Sequence, residues 1–149
     1  MIKAASQFGN QAVFLRVVQN AMFRKFFADS RFELRKGASP IEACRTYTNL
    51  LTRDGFVEEG DASFGQRDER IVGEIGESCP YRQTCTWVHE EGMPVYCFRA
   101  AALAEMLRIT TKQDFEPRLE SFAIPCRIAL APSHMEVSVD GDEEDLHIH

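Results

Sequence analysis

The residues best suited to chemistry are crowded into one stretch, GESCPYRQTCTWVHEEGMPVYCF, residues 76–98. It holds Cys79, Cys85 and Cys97, together with His89, Glu90 and Glu91. Cys126 follows in FAIPCRIAL, and Cys44 is the fifth cysteine of the chain. Thiolates hold soft metal ions and attack electrophiles, so a metal or redox centre and a nucleophile are both open to such a set. The intervening gaps of 5, 11 and 28 residues are neither the close pairs of a zinc finger nor the C-x2-C-x2-C run of a ferredoxin. Spacing alone therefore does not define a site, and the case rests on where the surrounding elements place the sulfurs.

Those elements are legible. From Gln11 to Asp29 apolar residues recur at helical spacing (Phe14, Val17, Val18, Ala21, Met22, Phe26), with a wide apolar arc that suits a core helix or a subunit interface. SPIE predicts a second helix, with Ser39 as N-cap, Pro40 in its first turn and Glu42 completing a capping box. It runs to about Arg53, with Gly55 as its stop, and Cys44 on its apolar face reads as a packing residue. GFVEEGDASFG and ERIVGEIGES predict two strands around a turn near residues 65–68. CPYRQTCTWVHEEG reads as a connection with room for a short helical turn, ended by Gly92 and Pro94. A third helix, from about Val95 to Ile109, is central: only Arg99, Glu105 and Arg108 interrupt its apolar surface. DFEPRLESF and CRIALAP predict a closing pair of strands. The order predicts an α+β fold, an antiparallel sheet of about four strands packed against three main helices.

In that frame Cys79 ends a strand, Cys97 lies in the first turn of a helix and Cys126 starts a strand, so the three can meet at one edge of the sheet. A helix N-terminus also lowers a thiol's pKa, which predicts an accessible Cys97 thiolate. Such a site would hold a metal, and the residues by themselves leave zinc and an iron–sulfur cluster both open.

The bulk properties narrow the function. The chain has 149 residues, 44% hydrophobic and 27% charged, as a single globular domain does, with a net charge of -6. No basic stripe is present to grip a phosphate backbone, so direct nucleic-acid binding is not expected. No apolar run approaches a membrane span, and the N-terminus lacks the apolar core of a signal peptide, so a cytoplasmic location is expected. Thiols stay reduced there, and five is an odd number for a disulfide framework. Residues 1–132 read as one domain, and 133–149, with its DGDEED run, as an acidic tail.

Over residues 10–131 the arrangement resembles the 4-vinyl reductase-type domains, small-molecule (hydrocarbon) sensors sharing the fold of TRAPP trafficking subunits. GASPIEACRTYTNLLTRDGF is similar to that family's helix before its first strand, and RIVGEIGESCPY to the strand entering the connection. PVYCFRAAALAEML is similar to its Pro-Val-Cys helix start, and FEPRLESFAIPCRIAL to its final hairpin. In the phenol-responsive members a helix cysteine, a hairpin glutamate and two hairpin cysteines hold zinc. The resemblance carries these roles to Cys97, Glu120 and Cys126, while Ala123 stands where the middle cysteine belongs and Cys79 and Cys85 offer substitutes. The chain also resembles domains similar to L-2-amino-thiazoline-4-carboxylic acid hydrolase, so the same fold can carry an enzymatic role.

Three readings follow. The first is a cytoplasmic small-molecule or redox-sensing domain. Its metal site (Cys79, Cys85, Cys97, Cys126, Glu120) lies beside an apolar pocket, between the third helix and the sheet, for a small apolar or aromatic ligand. Trp87, Tyr96, Phe98 and Met106 line that pocket, and a separate partner carries the signal. The second is a small hydrolase with Cys97 as nucleophile and His89 or Glu120 as base. The third is a non-catalytic adaptor that forms a homodimer through the first helix. The sensor reading accounts for both the cysteines and the apolar excess.

Overall fold

The computed structural model describes residues 37–133 and the helical residues Val17, Val18, Ala21, Met22, Arg24 and Lys25. The remaining residues of the expected first helix and residues 134–149 of the expected acidic tail lie outside the described residues. Within 37–133 the chain forms α1 (Pro40–Arg53), β1 (Ala62–Arg67), β2 (Arg70–Ile75), α2 (Arg82–Glu90), α3 (Phe98–Thr111), β3 (Phe115–Ser121) and β4 (Cys126–Pro132). This is the expected α+β arrangement, three helices and a four-stranded antiparallel sheet in the order β1-β2-β4-β3.

The predicted capping box at the start of α1 is present. The Ser39 backbone N–H donates to Glu42 Oε2 at 2.8 Å, and the Glu42 N–H donates to Ser39 Oγ at 3.4 Å. Ala43, Cys44, Tyr47 and Leu51 form the buried face of α1, so Cys44 is the packing residue its position implied. In α3 every residue from Arg99 to Leu107 is buried, and Leu103, Met106 and Leu107 are the largest of its apolar side chains in the core. The alanines leave room for that helix to approach both α1 and the sheet. Among the described residues no helix is long and apolar enough to cross a membrane.

The strands alternate as expected. Ile71, Gly73 and Ile75 pair with Leu130, Ile128 and Cys126, so these six residues share one face of the sheet. Ile71, Ile75, Ile128 and Leu130 on that face join the helices' core. Gly73 has a packing reason: a Cβ there would stand 2.7 Å from the ring of Phe64, its partner on β1, and 3.1 Å from Ile128.

Three boundaries differ from expectation. The first strand begins at Ala62, after the turns that follow Gly55 (φ 79) and Gly60 (φ 79), rather than at Gly55 itself. β2 ends at Ile75, so Cys79 sits in the turn beyond the strand instead of ending it. The connection contains a nine-residue helix, α2, and Cys97 is the N-cap of α3 rather than a residue of its first turn.

Candidate functional site

Four separate segments deliver the four candidate cysteines. Cys126 opens β4 opposite Ile75, the last residue of β2, on the core-facing side of the sheet. The chain leaving β2 is then fixed by Asp61. The Gly76 N–H donates to the Asp61 carbonyl at 2.8 Å, and the Asp61 carboxylate accepts from the Ser78 N–H at 2.7 Å and from the Ser78 hydroxyl. Ser78 Oγ in turn accepts from the Glu58 N–H at 3.0 Å. This network sets the turn that presents Cys79. The Arg82 N–H donates to the Cys79 carbonyl at 3.0 Å as α2 begins, and Cys85 follows within the first turn of that helix. Cys97 caps α3, its Sγ accepting from the Ala100 N–H at 3.4 Å.

Arg82 ties these segments together. Its Nη1 donates to the Ala123 carbonyl at 2.7 Å, and its Nη2 donates to the carbonyls of Ile75 (3.3 Å) and Gly76 (3.1 Å). The turn before Cys126 is thereby stapled to the end of β2. The Cys126 thiol donates to the same Ala123 carbonyl at 3.3 Å.

Cys79, Cys85, Cys97 and Cys126 line one cavity. Its apolar wall includes Ile75 and Leu119 from the sheet and the rings of Tyr81, Phe98 and Phe122. The space open to the centre of a water-sized body is about 20 Å³, enough for one such body and far below the roughly 300 Å³ of small-molecule sites. Among the described residues the lining carries no carboxylate and no imidazole, and its only charged side chains are Arg82 and Arg99.

The electrostatics reverse one expectation. Burial pushes the Cys97 thiol up to about 11, more than the N–H groups of Ala100 and Arg99 lower it, and the neighbouring Cys79 and Cys85 add to the rise. A helix terminus contributes only about 0.3–1 kcal/mol, so desolvation wins over the cap. Burial also raises Cys85, followed by Cys79 and Cys126 and opposed by Arg82. Cys44, deep in the core, is pushed to about 12 by burial. With no ion bound, these three are thiols at neutral pH.

The thiols share a cavity without a preformed polyhedron: among the described residues no group of three or more His, Cys, Asp or Glu side chains is arranged to hold a metal ion as it stands. The donor chemistry nonetheless suits a soft cation and the space suits a single ion, and Arg82 and Arg99 of the lining each have a buried Nε that lacks an acceptor among the described residues.

The other expected site residues are dispersed. Glu120 is exposed on β3, outside the cavity lining. His89 is exposed and packs on Phe122, ring centroids 4.9 Å apart. Of the four expected ligand-pocket residues, only Phe98 lines the cysteine cavity, stacked on Tyr81 at 5.2 Å. Met106 is fully buried in the core, Trp87 is 57% exposed, and Tyr96 is 41% exposed and lines a different pocket.

That second pocket lies between α3 and the start of β3, has a volume of about 230 Å³ and is largely polar. Glu105, 4% exposed, accepts from Arg108 Nη2 at 2.6 Å and from Arg24 Nε at 2.8 Å, tying the N-terminal helical residues to α3. Burial alone would raise the Glu105 carboxyl, but the hydrogen bonds and charges of Arg108 and Arg24 outweigh it and hold the group below its ordinary value. A depressed folded-state pKa contributes stability above the ordinary carboxyl value and loses it as pH falls through the folded one. Glu105→Gln is therefore expected to cost about 1–3 kcal/mol in urea unfolding at neutral pH. The difference from wild type should shrink towards zero in acid, and an equal gap at both pH values would refute the ion-pair origin.

No family model, no curated protein and no solved structure matches the chain.

Proposed function

We propose that the protein is a redox- or metal-responsive sensing domain whose working site is the cysteine-lined cavity, holding a single thiophilic ion, zinc foremost. One observation carries this reading: four of the five cysteines, drawn from separate parts of the chain, line one ion-sized apolar cavity. Cysteines buried merely as small hydrophobes have no reason to gather, as Cys44 in the core illustrates. The volume favours a mononuclear ion over an iron–sulfur cluster and over an aromatic ligand. A thiolate centre reports on oxidants because its ligands leave the metal when they are oxidised. The hydrolase reading lacks its base, since neither His89 nor Glu120 lines the cavity and burial keeps Cys97 protonated. A homodimer remains part of the proposal. Val17 and Met22 stand exposed at 62% and 65% on helical backbone that Arg24 anchors to α3.

Elemental analysis and an absorption spectrum of anaerobically purified protein test the centre. Stoichiometric zinc in a colourless protein is the expected result. Iodoacetamide mapping by mass spectrometry then separates the readings. The metal site predicts that Cys79, Cys85, Cys97 and Cys126 are protected together and released together by a chelator. Rapid labelling of Cys97 alone would point to the nucleophile, and protection that survives chelation in a folded, metal-free protein would reduce the four to core residues.

A further inference from the structure

Arg99 is 7% exposed, although arginine is among the residues least often buried. Its guanidinium lies 5.6 Å from the centroid of the Tyr81 ring and hydrogen-bonds with Tyr47. Its Nε is buried and has no acceptor among the described residues. Arg82 is half-buried and shares part of this pattern: three backbone carbonyls take its Nη groups, its guanidinium lies 5.6 Å from the Phe122 centroid, and its Nε has no acceptor among the described residues. Both line the cysteine cavity, and among the described residues no carboxylate does. A buried cation without a counter-anion is costly, so the buried Arg99, with the half-buried Arg82 in the same small lining, calls for negative charge there.

We infer that Arg82 and Arg99 are the built-in counter-cations of a tetrathiolate centre, which makes the cavity a site for a divalent thiophilic cation held by Cys79, Cys85, Cys97 and Cys126 together. The inference rests on the metal reading above and adds its charge and ligand number. Binding balances as M²⁺ plus four thiols giving the tetrathiolate dianion and four protons, which pass to solvent. Two guanidinium charges offset that dianion. A monovalent ion would leave excess negative charge, and a trivalent one excess positive charge. Arg82 and Arg99 act as positioning residues, donating N–H groups towards thiolate sulfur as outer-shell partners of metal ligands do.

The test is an anaerobic titration of the reduced, metal-free full chain with cobalt(II), whose visible bands report tetrahedral geometry and whose charge-transfer intensity counts thiolates. Zinc competition then gives affinities. Wild type should take one cobalt ion with a four-thiolate spectrum. Arg99→Met should keep the wild-type circular dichroism and bind about 10–100-fold more weakly, and Arg99→Lys should recover most of the loss by restoring the charge. Unchanged affinity in a folded Arg99→Met would overturn the counter-cation role while leaving the metal site standing. A wild-type spectrum with three thiolates or fewer would overturn the tetrathiolate without recourse to any variant. A reduced, folded wild type that binds neither cobalt nor zinc would remove the metal reading and this inference with it.

Discussion

Gly76→Ala is expected to destabilise the domain by about 1–3 kcal/mol through overpacking, with about 1 kcal/mol more for each hydrogen bond it displaces. A Cβ at this position would overlap the Asp61 carboxylate. That carboxylate is not free to swing aside, because it holds the Ser78 N–H and hydroxyl and so fixes the turn leading to Cys79. Gly65 provides the control: nothing lies within 4 Å of a Cβ built there, and Gly65→Ala should stay within about 0.5 kcal/mol of wild type. Urea unfolding of the two variants measures the contrast. The loss at Gly76 should also expose Cys79 to alkylation, because the network that breaks is the one that presents it. Equal stability of the two variants would mean that the Asp61 hydrogen bonds do not support the turn.

The second large effect concerns Cys97. Cys97→Ser should abolish stoichiometric metal retention through dialysis, and with it the stability that ligation supplies, about 4 kcal/mol at a thousandfold excess of free ion over Kd. The substitution is informative because serine is a favoured N-cap and can accept from the Ala100 N–H as Cys97 Sγ does. Without metal, therefore, Cys97→Ser and wild type should unfold at similar denaturant concentrations, and the gap should open only when zinc is added. Cys44→Ser is expected to behave in the opposite way. It keeps the metal but loses about 1–3 kcal/mol in either state, from a hydroxyl buried among apolar neighbours. Equal metal content in Cys97→Ser and wild type would exclude a shared site.

What the sequence made legible follows from how local each signal is. The Ser39–Glu42 cap, the alternation of Ile71, Gly73 and Ile75, and the apolar, alanine-rich α3 are short-range patterns, and each forms its predicted element. The sequence places in CPYRQTCTWVHEEG a connection with room for a short helical turn rather than the nine-residue α2, because no side-chain cap advertises that helix and none of its residues is buried. The convergence of the cysteines was expected from element ends. The strand register, with Cys126 opposite Ile75, and the Arg82 staple are tertiary facts that no local pattern encodes. The placement of Arg82 and Arg99 in the cavity lining is not legible because a charged side chain reads by default as solvated. The available signal was Arg99 interrupting an otherwise apolar helix. The thiol of Cys97 went the wrong way because a helix terminus is visible in sequence and the depth of burial is not.

The Arg82 staple has a kinetic corollary. Cys79 and Cys126 lie far apart along the chain, and everything between them, α2, α3 and β3, must be in place before the two can share a wall of one cavity. Bringing such distant positions together carries a loop-closure entropy that grows with the logarithm of the separation. An emerging chain therefore lacks the complete four-thiol set until β4 has docked between β2 and β3. Were the cavity to take an ion, as proposed, loading would act as a proofreading step: it would select chains whose last strand has found its register and leave those with a misplaced β4 carrying unclaimed thiols.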